Sequence, residues 1–205
     1  MTLARAALGE LTLPKQVLMV LGGALAIAIA AQISVPMFPV PMTLQTLAVL
    51  LVGLTFGAHL ATATLLVYLG QGAMGLPVFA NGGATLTFFG PTAGFLLGFV
   101  LMAGLVGFAA DRGWTRGVFG AALVCLAASA LLYVPGVAWP MAVAGAVGID
   151  GGWVGLGADR VWAGFMAPFL LGDAVKAVLA ALIAAGGMAA LFAKAQEDAR
   201  KKGRL

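Results

Sequence analysis

The run VWAGFMAPFLLGDAVKAVLAALIAAGGMAALFA, residues 161–193, is apolar throughout except for Asp173 and Lys176. It is longer than the ~20 residues that one membrane-crossing helix needs, so it reads as a span carrying one acid and one base. On a helix, residues three apart share a face. An unpaired charge in hydrocarbon costs roughly 2.5–3.5 kcal/mol on insertion scales, so both side chains are expected to face the protein interior, bonded to each other or to a polar ligand. A buried ion pair stabilises poorly relative to apolar packing, because desolvation offsets attraction. The pair therefore points to function. Lys176 offers donors suited to a carboxylate or carbonyl, and Asp173 accepts from N–H groups. Pro168, shortly before Asp173, is expected to loosen the helix near that depth.

Everything around this run says membrane. Hydrophobic residues make up 62% of the chain and charged residues 9%, and the mean hydropathy is +1.09, whereas a soluble domain has about 25% charged residues. From Gln16 to Ala110 there is no Asp, Glu, Lys or Arg at all. Several helices must come from that stretch. A chain of 205 residues with this composition predicts an all-α, six-transmembrane-helix bundle, one integral membrane domain over residues 1–205.

The spans are expected at about 16–35, 43–56, 57–70, 91–110, 117–135 and 161–193. Pro36, Pro39 and Pro41 end the first, since proline cannot continue a helix. The Ala-rich stretch Ala28–Ala31 resembles a leader cleavage site, but the apolar run is long for one and is read as a retained span. Thr43 to Gly70 is too long for one span and short for two, so a break between Gly53 and Gly57 divides it. Gly90-Pro91 opens the fourth span and Asp111-Arg112-Gly113 closes it; Pro135-Gly136 ends the fifth. Charge orients the bundle. Arg5 and Lys15, the loop with Arg112 and Arg116, and the tail with Lys194, Arg200, Lys201, Lys202 and Arg204 are all expected on the cytoplasmic side. Both termini are then cytoplasmic, which six spans satisfy and five do not. The Gly-rich segments 71–89 and 136–160 lie outside, each as a surface loop or as a lid over a site. No internal repeat of the transporter kind is evident.

Several chemistries are set aside. Cys125 is the only cysteine and His59 the only histidine, so no internal disulfide or Cys/His metal site is expected. Cys125 reads as a buried hydrophobe and His59 as an interfacial residue at a helix end. The net charge of +4 sits at the termini and in one loop, where topology explains it, so no nucleic-acid partner is expected. There is no P-loop, no His-Glu-x-x-His and no Gly-x-Ser-x-Gly turn. The chain is expected not to be an enzyme and to hold no cofactor. A self-sufficient, ion-gradient-coupled carrier with Asp173 as its proton site stays open.

Other features have two readings each. Ala24, Ala26, Ala28 and Ala30, with Gly22, form small-residue stripes that let helices approach closely, either within this chain or against a separate membrane protein. Gly90, Gly94 and Gly98 form a similar stripe, read as internal packing. Gln45, between Thr43 and Thr46, either caps a helix or contacts a ligand. Asn81, before Gly82, is a turn signal or a binding residue.

With those residues in hand, the chain resembles the BioY family of biotin-specific substrate-binding (S) components of energy-coupling factor transporters. The likeness is carried by Pro39-Val-Pro41-Met-Thr-Leu-Gln45-Thr-Leu, Val52-Gly53-Leu-Thr-Phe-Gly57, Tyr68-Leu-Gly70-Gln-Gly72-Ala-Met-Gly75-Leu-Pro77-Val-Phe79, Gly82-Gly83, Gly90-Pro91-Thr92-Ala93-Gly94-Phe95 and Gly172-Asp173-Ala-Val-Lys176. It implies a multi-pass protein of the bacterial cell (inner) membrane that captures biotin from outside. Its implied partners are a transmembrane coupling protein and two ATPase subunits, which fits the missing P-loop. By the same likeness Asp173, Lys176 and Asn81 match ligand-contacting positions, and the stripe at Ala24, Ala26, Ala28 and Ala30 looks like a docking surface. Biotin's ureido ring has two N–H donors and a carbonyl, and its tail ends in a carboxylate. Asp173 suits the N–H groups, Asn81 the same ring, and Lys176 either oxygen group. Phe79 and Met74 are expected as walls for the apolar rings.

Overall fold

The computed structural model describes residues 2–202, with some side chains beyond Leu191 outside the description. Arg204 of the basic tail lies outside the described residues. A short helix α1 (Leu3–Leu8) precedes α2 (Leu13–Gln32), which has Pro14 in its first turn, where a missing N–H costs nothing. Then come α3 (Gln45–Phe56), α4 (Ala58–Ala73), α5 (Ala93–Asp111) and α6 (Val118–Ala138). The last helix, α7, opens as Ala158–Val161, passes through a π turn (Trp162–Met166) and continues as Ala167–Lys202. Between α2 and α3 the strands β1 (Ser34–Val35) and β2 (Met42–Thr43) pair antiparallel, Ser34 with Thr43 and Val35 with Met42.

The first helix therefore stops at Gln32, earlier than the prolines required, because Ser34 and Val35 are drawn into the hairpin with Met42 and Thr43. The break after Phe56 falls where expected. Gly57 has φ +82°, a conformation that favours glycine. The Asp111 carboxylate accepts the Ala58 N–H at 2.9 Å, supplying an acceptor to the opening turn of α4.

The fifth helix corrects the expectation that Pro135-Gly136 ends it. Pro135 lies inside α6, which runs on through a π turn (Trp139–Val143) into Ala144–Ala146. Two features hold the chain helical there. Gly94 and Gly136 let α5 and α6 approach until an added methyl at Gly94 would overlap the Pro135 carbonyl and one at Gly136 the Phe95 ring. The π turn of α6 begins just before Pro140, and the one in α7 ends two residues before Pro168, each re-routing hydrogen bonds where a proline supplies no N–H. The outside segment expected at 136–160 shrinks accordingly to about residues 147–157, and Trp153 and Leu156 from it pack beside Phe165 and Val161.

Helix α5 is the centre of the bundle. Gly53 of α3 and Gly107 of α5 permit contact so close that an added methyl would sit 2.8 Å from Val106 or 2.5 Å from the Ala58 nitrogen. Gly98 packs on Leu132 and Pro135, so the Gly94 and Gly98 stripe serves internal packing as expected. Among the described residues, four helical runs are long and apolar enough to cross a membrane: Leu13–Gln32, Ala93–Asp111, Val118–Ala146 and Ala158–Leu191. Leucines and isoleucines such as Leu18, Leu25, Ile29, Leu101 and Leu171 project outward, as a lipid-facing surface requires. The chain is a multi-pass, mainly helical membrane protein. At 12 and 16 residues, α3 and α4 reach only about 18 and 24 Å.

Candidate ligand-binding site

Asp173 and Lys176 lie one turn apart on α7 and face inward, 8% and 7% exposed. The Lys176 ammonium donates to Asp173 Oδ1 at 2.9 Å, as the sequence spacing anticipated. Two further helices complete the cluster. From α3, Thr46 Oγ1 accepts from Lys176 Nζ at 3.1 Å and stands 3.4 Å from Asp173 Oδ1. From α6, the Tyr133 hydroxyl donates to Asp173 Oδ2 at 2.7 Å, its ring held edge-on against Phe95. Both carboxylate oxygens are thus engaged, while the ammonium keeps one of its three donors in reserve. Among the described residues no group of His, Cys, Asp or Glu is arranged to hold a metal ion.

The cluster borders a cavity of about 70 Å³. Phe95, Leu96, Phe99, Leu132 and Phe169 form its apolar wall. Val40 to Thr43, from the hairpin and the chain leading into α3, line another side together with Phe79, Ala80, Thr87 and Thr92 from the loop after α4. That loop folds over the bundle with two 3₁₀ turns (Ala80–Gly82 and Thr85–Phe89), so the lid reading suits the first outside segment. Phe79 is almost wholly buried, edge-on to both Tyr68 and Phe88 at 5.3 Å. Gln45 Nε2 donates to the Tyr68 hydroxyl at 3.0 Å, and that hydroxyl donates to the Val78 carbonyl at 2.9 Å. A relay thus joins the cavity to the loop that covers it.

Of the residues singled out from sequence, Asp173, Lys176, Gln45 and Phe79 come together here. Thr43 acts as a local cap, its hydroxyl accepting the Gln45 N–H at 3.1 Å. Asn81 does not line the cavity. It holds φ +56° at the turn, and its Oδ1 accepts from Ser34 Oγ at 2.9 Å. Met74 is a correction: at the C-terminal end of α4 it is 85% exposed and walls nothing. The alanine stripe divides. Ala24 and Ala28 are buried against the chain's own helices, which corrects their expected docking role, whereas Ala26 is exposed and Ala30 partly so. His59 is exposed at the start of α4 and Cys125 is buried, as read.

Sequence reasoning missed Tyr133 and Tyr68. A signal was present, because the chain has two tyrosines and both fall inside apolar spans, where a phenol needs a partner. It also passed over Thr46 and the aromatic wall, since nothing in a one-dimensional apolar run tells a core phenylalanine from one facing a cavity.

The model of the BioY family matches residues 4–193. A protein of Rhodobacter capsulatus named biotin transporter BioY is 36% identical over 173 residues, 78% of this chain and 86% of that one. Its namesake in Rhizobium etli is 33% identical over 166 residues, 77% of this chain and 83% of that one. The solved S-component for biotin from an ECF-type ABC transporter superposes with a TM-score of 0.67, covering 86% of this chain and 93% of that one at 22% identity, and so shares the fold.

Proposed function

The chain belongs to the BioY family, and from that premise we propose that it captures biotin as the substrate-binding subunit of an energy-coupling factor transporter. The observation that carries this reading is the Asp173–Lys176–Thr46–Tyr133 cluster against an apolar, aromatic-walled cavity. Biotin matches it group for group. The acceptor Asp173 meets a ureido N–H, Lys176 gives its remaining donor to the ureido oxygen or the tail carboxylate, and Phe95, Phe99 and Phe169 receive the apolar rings. Gln45 presents an amide to the same ring system. Asn81 sits next to the cavity-lining Ala80 and reaches biotin once its bond to Ser34 is exchanged for one to the ligand. The ion-gradient carrier with Asp173 as proton site is not favoured by the family membership.

The arrangement of the bundle supports six crossings with both termini in the cytoplasm and one domain throughout. The Gly57 turn rests on Asp111, at the end of the bundle that also holds Arg112 and Arg116. Each of α3 and α4 therefore runs between that end and the end carrying the cavity, despite being short. Positive charge marks the Arg112 end as cytoplasmic, which turns the cavity and its covering loop outward in a bacterial inner membrane. The exposed edge of α2 at Ala26 and Ala30 is the docking face for the coupling protein, which in turn engages two ATPase subunits.

Calorimetric titration of the detergent-purified chain with biotin tests the capture role. Tight binding that weakens in Asp173→Asn, and with an analogue lacking the ureido N–H groups, is the expected result. No heat with biotin would sink the substrate assignment. Uptake by vesicles holding this chain alone that follows a pH gradient would reinstate the carrier.

A further inference from the structure

At the Arg112 end of the bundle a second cavity of about 460 Å³ opens between α1, the end of α3, the loop after α5 and the later turns of α7. Its walls are mainly aliphatic, with Leu3, Leu54, Ala110, Ala185, Met188 and Leu191 among them. The volume falls in the range of ligand sites, ~300–1,000 Å³, and far exceeds the small gaps of a close-packed interior. Three polar residues share it, Thr2, Thr115 and Arg116. Arg116 lines the cavity, and among the described residues it takes part in no ion pair. Thr2 lines it as well, 3% exposed, with its hydroxyl buried and without a hydrogen-bond partner.

Buried hydroxyls are normally paired, and a guanidinium is a fork of donors shaped for phosphate. The buried Thr2 hydroxyl lacks a partner and the exposed Arg116 guanidinium beside it suits an acceptor-bearing anion, yet the walls around them are those of a hydrocarbon site. A small soluble anion would leave the aliphatic walls without a partner, and a wholly apolar guest would leave Thr2 and Arg116 without one. An amphiphile satisfies both. Basic pockets between membrane helices on the cytoplasmic side suit anionic lipid headgroups. Arg5, Lys15 and Arg112 add positive charge in the neighbouring turns.

We propose that this cavity seats an acyl chain of an anionic phospholipid from the cytoplasmic leaflet, with the lipid phosphate on the Arg116 guanidinium and the Thr2 hydroxyl donating to a headgroup or ester oxygen. The proposal rests on the orientation given under the proposed function. It concerns the opposite end of the bundle from the biotin cavity and makes no use of the biotin-binding residues.

Native mass spectrometry of the full chain in mild detergent, with phosphatidylglycerol or phosphatidylcholine added, tests it. The chain is expected to retain one phosphatidylglycerol under conditions that strip phosphatidylcholine. Arg116→Gln should lower that retention about ten- to a hundred-fold, the range for losing a charge-assisted hydrogen bond. Ala185→Phe, which fills the cavity while keeping the charge, should lower it too, and biotin titration should be unchanged in both. Equal retention of the two lipids, or retention that survives either variant, overturns the proposal. So does a chain that retains no lipid but whose Met188→Cys thiol becomes protected when the coupling protein is added, because the cavity is then a seat for protein. Labelling of Gly117→Cys, an exposed position with open space around it, by an impermeant thiol reagent from each side of sealed vesicles reports the orientation separately. Failure there is distinguishable from failure of the lipid site and from failure to bind biotin.

Discussion

Asp173→Asn separates a ligand site from a structural ion pair when set beside a variant in which the whole polar cluster is made apolar. In the single variant the Lys176 ammonium loses its counter-charge at 2.9 Å and remains buried. Removing one member of a buried pair costs about 3–5 kcal/mol of stability. In the fourfold variant Thr46→Val, Tyr133→Phe, Asp173→Leu and Lys176→Met no charge or hydroxyl of the cluster is orphaned, and such replacements are neutral or stabilising by about 1–4 kcal/mol. Unfolding in detergent, followed by circular dichroism, should therefore find Asp173→Asn less stable than the parent and the fourfold variant at or above it. Binding takes the other order. One charge-assisted bond to biotin from each of Asp173 and Lys176, at about 1.5–3 kcal/mol apiece, sums to about 3–6 kcal/mol, or two to four orders of magnitude in affinity. Titration calorimetry should show biotin binding weakened about ten- to a hundred-fold in Asp173→Asn and no measurable heat in the fourfold variant. A fourfold variant that folds and binds biotin like the parent refutes the assignment. A single variant with parental stability and affinity refutes the reasoning about the pair.

Three further outcomes follow from the geometry. Gly94→Ala drives a methyl into the Pro135 carbonyl, a backbone atom that cannot rotate away, and should lower stability by about 1–3 kcal/mol, whereas Gly22→Ala, with nothing within 4 Å, should leave the unfolding midpoint unchanged or raised. Tyr68→Phe deprives the Gln45 amide of its acceptor and the Val78 carbonyl of its donor; at about 1–3 kcal/mol for an orphaned group, biotin affinity should fall at least about five-fold, and an unchanged titration would show that the relay does not shape the site. Ala26→Trp, on the exposed edge of α2, should abolish co-purification with the coupling protein while sparing biotin binding, and Ala24→Trp, at a fully buried position, should instead prevent folding; if Ala26→Trp costs both activities, the stripe only packs this bundle.

What could be read from the sequence divides along physical lines. Long charge-free runs and two ionisable residues on one face were enough to place helices and to turn Asp173 and Lys176 inward, because the penalty for charge in hydrocarbon leaves few alternatives. The Gly57 break was legible for a related reason: a stretch too long for one crossing must turn somewhere, and glycine tolerates the left-handed φ. Pro135 misled because a proline rule is local, while the continuation of α6 is secured by the close approach of α5 through Gly94 and by the π turn around Pro140. Met74 misled for the complementary reason. Its composition suits a pocket wall, but the side a loop residue faces depends on how the loop folds back, which has no period to read. Ala24 and Ala26 show how the two stripes divide, since residues two apart lie on nearly opposite faces of a helix and here meet a neighbouring helix and open surface respectively.

The size of the first cavity bears on how such a site works. At about 70 Å³ it lies well below the ~300 Å³ at which ligand pockets begin, so biotin enters only if a boundary yields. The walls differ in how readily they do so. On the α5–α6 side, Gly94, Gly98 and Gly136 bring backbone and side chains into direct contact, and spreading those helices would open the centre of the core. On the other side, the hairpin is held by a two-residue ladder. The loop above it is tied by side-chain bonds from Gln32 to Phe79 and Gly82, from Ser34 to Asn81 and from Tyr68 to Val78. Each such bond contributes about 0.5–1.5 kcal/mol net, and those of Ser34 to Asn81 and Gln32 to Gly82 are exposed and can be exchanged for water. Under the proposed function the loop and hairpin are the boundary expected to yield, with Phe79, wedged between Tyr68 and Phe88, as its innermost part. On the proposed reading, capture joins two demands in one event: the ligand supplies polar partners to Asp173, Lys176 and Gln45, and its rings fill the space that Phe79 gives up.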